Sequence, residues 1–167
     1  MANNSAIRAM FEEGKRMAAI YGKENVYDFS LGNPNVPVPQ VTEAILDVVK
    51  NEDFMTLHGY MSNAGFEDVR QTIADSLNKR FGTNFSFKNL IMTVGAASGL
   101  NIILKSILNP GDEVIIPAPF WLSYPEIVKL AGGVPVIVKT TKEQNYKLTV
   151  DDLKAAITDK TKALVLN

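Results

Sequence analysis

The chain predicts an α/β fold of three layers, α/β/α, in which a mainly parallel sheet carries helices on both faces behind an N-terminal helical segment. Two observations predict it. From Leu90 onward, short apolar runs alternate with helical stretches in the order strand, helix, strand, helix, strand. Parallel strands need crossovers of that kind. The helical stretches also end on strong stops, Asn109-Pro110-Gly111 and Gly132-Gly133, which return the chain to the sheet.

Each element follows from its own residues. Ile7, Met10, Phe11, Met17 and Ile20 recur at helical spacing, with Gly14 interrupting, and predict a helix ending near Gly22. Val26 to Leu31 is strand-like. It feeds SLGNPNVPVP, where Gly32 and three prolines force an irregular path. Apolar residues at 41, 44, 45, 48 and 49 predict a second helix, and those at 66, 69, 73, 77 and 81 a third, with a loop, MTLHGYMSNAGF, between them. Leu90–Val94 reads as a strand, Ala97–Leu108 as a helix, Glu113–Pro117 as a strand, and residues from about Trp121 to Ala131 as a helix. Val134–Val138 is β-branched and strand-like. Thr149 and Asp152 have capping-box spacing ahead of a last helix, and Ala163–Leu166 is a strand of the buried type.

Composition narrows the function. A formal net charge of -1 with scattered Lys and Arg argues against a nucleic-acid or anionic-membrane surface and leaves a small-molecule partner as the expectation. With no cysteine there is no disulfide framework, thiolate metal site or cysteine nucleophile, which fits a reducing compartment such as the cytoplasm. The N-terminal residues carry charge where a signal peptide is apolar, and no run reaches the ~18 apolar residues of a membrane helix, so neither export nor anchoring is expected.

In open parallel sheets ligands sit beyond the carboxyl ends of the strands, so the segments after Val94, Pro117 and Leu166 are where a site is expected. TVGAASGLN passes from strand to helix through small residues, which let a phosphate approach the free N–H groups of the helix start. The same residues also suit tight strand–helix packing. IPAPFWLSYPE places Trp121, the only tryptophan, directly after a strand, where its ring can lie over a ligand or simply pack.

Taken together and in order, these segments resemble the fold-type I, pyridoxal-phosphate-dependent class I aminotransferases, specifically their bacterial aspartate aminotransferase-like group. SLGNPNVP resembles the family's substrate loop, HGYMSNAGFEDVRQTIA its tyrosine segment, and VGAASGLN its phosphate cup. NPGDEVIIPAPFWLSYPEIVKLAGG resembles the strand and stacking aromatic that follow, and TKALVLN the strand entering its Asn-Asn-Pro loop. The resemblance implies pyridoxal 5'-phosphate as cofactor, held by backbone N–H groups of Ala96 and Ala97 and stacked on Trp121, which also walls the substrate pocket. It implies Tyr60 as a phosphate hydrogen-bond donor reaching the partner subunit of a homodimer, and Gly32 as a backbone contact to the substrate carboxylate. Loop packing for the phenol and a required backbone conformation for the glycine are the other readings of those two.

The same resemblance implies amino-acid and 2-oxo-acid substrates and divides the chain into residues 1–40, a small-domain and dimer-arm segment, and 41–167, the first part of the cofactor domain. It places the Schiff-base lysine beyond Asn167, so that no residue here is assigned as catalytic and this length of chain alone is expected to be inactive. No metal site is expected. Ala97 departs from relatives that carry Lys, Thr or Ser there, which removes one side-chain contact to the phosphate and leaves Ser98 to replace it in part. His58, the only histidine, stands in a loop without partners and reads as polar surface. The other reading is a non-catalytic α/β domain that binds a phosphate ligand or a partner.

Overall fold

A computed structural model describes residues 6–30, 32 and 36–167, with backbone alone for Ala6 and Ile7. Its contacts divide the chain into two compact units, Met1–Tyr60 and Met61–Asn167.

In the first unit, α1 (Ala6–Tyr21) and α2 (Pro39–Asn51) confirm the two stripes as helices, and Pro39 starts α2 because its fixed φ suits a first helical turn. Gly14 has a steric reason: a Cβ there would meet the Asp28 carboxylate at 3.0 Å. The expected strand at Val26–Leu31 is not formed over its described residues, 26–30, which stay unpaired; Leu31 lies outside the described residues, as does 33–35 of the loop. The loop expected at 55–66 holds a short helix, α3 (Phe54–His58), because the Asp53 carboxylate caps the N–H groups of Met55 and Thr56. The α2 stripe does not face a core: Val41, Ile45, Val48 and Val49 are all exposed.

The second unit opens with α4 (Glu67–Phe81), which has acids in its first turn, bases in its last, and Gly82 in the left-handed conformation as its stop. Residues 82–90 wrap back over this helix. Asn78 bonds Phe85 through both its amide atoms, Gln71 accepts from the Phe87 N–H, and the buried Arg70 donates to the carbonyls of Gly65, Phe87 and Leu90. Leu90–Val94, expected as a strand, is unpaired: the one cross-chain backbone bond is Met92 N–H to Ala64 O. Its sequence favours extended backbone, but a ladder needs a neighbour strand, and none of the described residues supplies it.

The sheet is parallel, in the order β2-β1-β3, with β1 at Glu113–Ala118, β2 at Val134–Lys139 and β3 at Thr161–Leu164. The expected run Ala163–Leu166 thus pairs two residues earlier, with Lys162 an extra residue in the β1–β3 register. The helices are α5 (Gly95–Ile107), α6 (Ser123–Leu130) and α7 (Val150–Ala156). From β1 the chain crosses one way through α6 to β2, then back through α7 to β3, so right-handed crossovers put α6 and α7 on opposite faces. Central β1 is therefore buried on both sides. Val114 and Ile116 pack with Leu104, Leu108, Ile127 and Val128, while the equally buried Ile115 turns to the other face. The three-layer α/β/α expectation is met. No helix among the described residues is long and apolar enough to cross a membrane.

The capping box at α7 forms as expected: Thr149 Oγ1 accepts from the Asp152 N–H, and the Asp152 carboxylate accepts from both the hydroxyl and the N–H of Thr149. Thr149→Ala is expected to cost about 1 kcal/mol near neutral pH, read by urea unfolding. The Thr149 hydroxyl holds the Asp152 carboxyl below the usual carboxylate range. A lowered folded value stabilises the fold above the unfolded carboxylate's pKa of ~4 and is lost as pH falls through the lower folded value. The gap between wild type and Thr149→Ala should therefore narrow in acid; a gap independent of pH would show that the carboxylate is not part of the cap.

Candidate cofactor site

Helix α5 starts two residues earlier than the sequence predicts, at Gly95, and this places Ala96 and Ala97 in its first turn. Gly95 has φ +79°, where side chains are disfavoured, so the turn into the helix requires glycine. Thr93 braces it from both sides, accepting from the Gly95 N–H at 3.0 Å and donating its hydroxyl to the Gly95 carbonyl at 3.1 Å. Gly99 lets this brace approach, since a Cβ there would meet Thr93 Oγ1 at 3.2 Å.

No side chain caps α5, and neither the Ala96 nor the Ala97 N–H has an acceptor among the described residues. Both residues are exposed. Two free donors at the positive end of a 13-residue helix, on side chains that leave the backbone bare, suit an oxyanion.

Trp121 arrives from the end of β1. Phe120 packs inward against the core, so the next side chain turns outward, and Trp121 remains 44% exposed. Its carbonyl accepts from the Tyr124 N–H at 3.0 Å as α6 begins. Residues Ala97, Ser98 and Trp121 line one cleft of about 490 Å³ between α5 and α6, together with Asn101, Ser123 and Glu126. That volume lies in the usual range for small ligands. Glu126 is paired with Lys129 at 2.8 Å, and no lysine or arginine side chain lines the cleft among the described residues. Donors in this cleft are therefore uncharged: backbone N–H groups, the Ser98 and Ser123 hydroxyls and the Asn101 amide.

A phosphate cradle and a flat aromatic face on one cleft fit a phosphorylated ring. The family model for aminotransferases of class I and II covers residues 23–167. The chain belongs to this family. It is similar to the aspartate aminotransferase of Bacillus sp. (strain YM-2), 41% identical over 86% of this chain and 36% of that protein. Among solved structures, an amino transferase from Eubacterium rectale superposes with a TM-score of 0.92 at 41% identity, covering 99% of this chain and 42% of that one. A Thermus thermophilus aspartate aminotransferase single mutant gives 0.82 at 30% identity, over 99% and 42%. The chain thus spans about two fifths of the length of these relatives. Enzymes of this family use pyridoxal phosphate.

The structure brings Ala97 and Trp121 onto one cleft, with Ala96 beside Ala97 in the same helical turn. Tyr60 and Gly32 belong to the first unit, both exposed, with nothing within 4 Å of a Cβ built on Gly32. His58 ends α3 with its ring 4.9 Å from Phe54. Sequence reasoning missed Asn101, although it follows Ala97 by one helical turn, and Tyr124, although it stands three residues after Trp121 at a helix start.

Proposed function

We propose that this chain forms the cofactor-binding wall of a pyridoxal-phosphate-dependent aminotransferase that moves an amino group between an L-amino acid, aspartate among them, and a 2-oxo acid. The single observation that carries this reading is the cleft shared by the free N–H end of α5 and the Trp121 face. When bound, the cofactor supplies the electron sink for chemistry at the substrate α-carbon. This chain supplies position: Ala96 and Ala97 donate to the phosphate, Ser98 adds a hydroxyl, and Trp121 covers one ring face and excludes water from it. Tyr60 donates to the phosphate of a second copy in a homodimer, and the Gly32 backbone meets the substrate carboxylate. Residues 1–40 serve the small domain and dimer arm, and 41–167 the cofactor domain. With no lysine lining the cleft among the described residues, residues 1–167 alone are expected to bind the cofactor without turnover.

Because Trp121 is the only tryptophan, its fluorescence reports on the site. Pyridoxal phosphate should quench it saturably and bind more tightly than inorganic phosphate. Trp121→Ala should weaken pyridoxal phosphate about tenfold by calorimetry, the loss expected of one stacked ring, and leave inorganic phosphate unchanged. Equal affinities for the two ligands in wild type, with no quenching, would instead support the non-catalytic phosphate-binding domain.

A further inference from the structure

Tyr124 has three attachments that no role so far uses. Its ring meets Trp121 edge to face, with centroids 5.4 Å apart at 87°. Its hydroxyl donates to Oδ1 of Asn167 at 2.9 Å, across 43 residues of chain, on the segment that follows β3. The body of the side chain packs against the core cluster of β1, α5 and α6. By contrast Trp121 is 44% exposed, and its indole N–H donates to none of the described residues. Among the described residues nothing polar holds the indole plane. An exposed indole on the residues between a strand and a helix keeps rotamer freedom unless a neighbour removes it.

We propose that Tyr124 is a positioning residue: its phenol, tied to Asn167 and seated on the core, fixes the plane of Trp121 for ring stacking. The inference rests on Trp121 being the stacking residue. The edge-to-face contact selects one indole orientation, because the positive edge of one ring prefers the face of the other. The bond to Asn167 in turn selects one orientation of the phenol, so the end of β3 and the stacking ring at the end of β1 are held by a single side chain. Tyr124 does not itself line the cleft and reaches it through the Trp121 ring, not through Ala96 or Ala97, so its effect falls on the ring and spares the phosphate.

The test is on the full chain with three variants, Tyr124→Phe, Tyr124→Leu and Asn167→Ala. Time-resolved anisotropy of Trp121 without ligand should show a larger fast depolarisation in all three, greatest in Tyr124→Leu, where the ring contact is gone. Affinity for pyridoxal phosphate should fall about fivefold in Tyr124→Phe, the value of one hydrogen bond, and further in Tyr124→Leu, with inorganic phosphate unchanged throughout. Asn167→Ala should match Tyr124→Phe, and the double variant should add nothing. A fold-stabilising role alone would lower the melting temperature and leave the ratio of the two affinities at the wild-type value; that outcome, or unchanged depolarisation, overturns the proposal. Failure of the cofactor reading appears separately, in wild type, as pyridoxal phosphate binding no more tightly than phosphate.

Discussion

Replacing Ala97 with aspartate is expected to abolish phosphate-ligand binding while leaving the chain folded and α5 no less stable. Ala97 is the third residue of that helix, exposed, in a first turn that holds no acid. A carboxylate there faces the positive helix end and the free N–H groups, which favours the helix by about 0.3–1 kcal/mol. The same carboxylate takes the place of the ligand's phosphate and repels it. Two like charges about 4 Å apart at an effective dielectric near 20 cost about 4 kcal/mol, roughly a thousandfold in affinity. Calorimetric titration with inorganic phosphate and with pyridoxal phosphate, paired with thermal melts, reads both halves. Ala97→Asn, neutral and of the same shape, should lose far less. Wild-type affinity in Ala97→Asp would remove the first turn of α5 from the site, whatever the stability of the variant.

The second large effect is on folding. Arg70 is 5% exposed and has no acidic partner within salt-bridge distance among the described residues; its guanidinium is satisfied by the Gly65, Phe87 and Leu90 carbonyls and lies over the Phe87 ring. Arg70→Met keeps much of the aliphatic volume and strands those carbonyls. A loss of about 3 kcal/mol is expected, since hydrogen bonds to a charged group contribute about 1.5–3 kcal/mol and water can reach part of the gap. Arg70→Lys should recover only part, because an ammonium lacks the planar fork. Urea unfolding measures the loss, and faster hydrogen exchange at Met92, bonded to Ala64 beside the clamp, should accompany it. A change no larger than that of a surface substitution, about 0.5 kcal/mol, would mean that the three carbonyls find equal partners without Arg70.

Much of the site is local and therefore readable in advance. Gly95 before small residues implies a bare helix start, and Trp121 after a strand implies an aromatic at a strand's carboxyl end; both need only the chain's own direction and the sheet's handedness. Tyr124 and Arg70 are different. Nothing near Tyr124 indicates that its hydroxyl meets Asn167, 43 residues away, and nothing near Arg70 indicates that its partners are carbonyls 17 and 20 residues on. Those contacts exist only once β3 lies beside β1 and the 82–90 segment has folded back on α4.

The same division separates the elements. The longer helices, the α7 capping box and the parallel rhythm follow from the sequence, because a helix bonds within itself and a cap spans three residues, whereas the short α3 falls where the sequence reads as loop. Whether a strand-like run becomes a strand follows from its neighbours: Val114 and Ile115 do, flanked by two partners, while Leu90–Val94 and the described part of Val26–Leu31 remain unpaired. Sequence alone determined where this chain bends, coils and exposes bare backbone. Tertiary structure decided which extended runs pair, what Arg70 and Tyr124 hold, and that Ala97 and Trp121 share a cleft, because hydrogen-bond partners and cleft walls come from residues far apart along the chain.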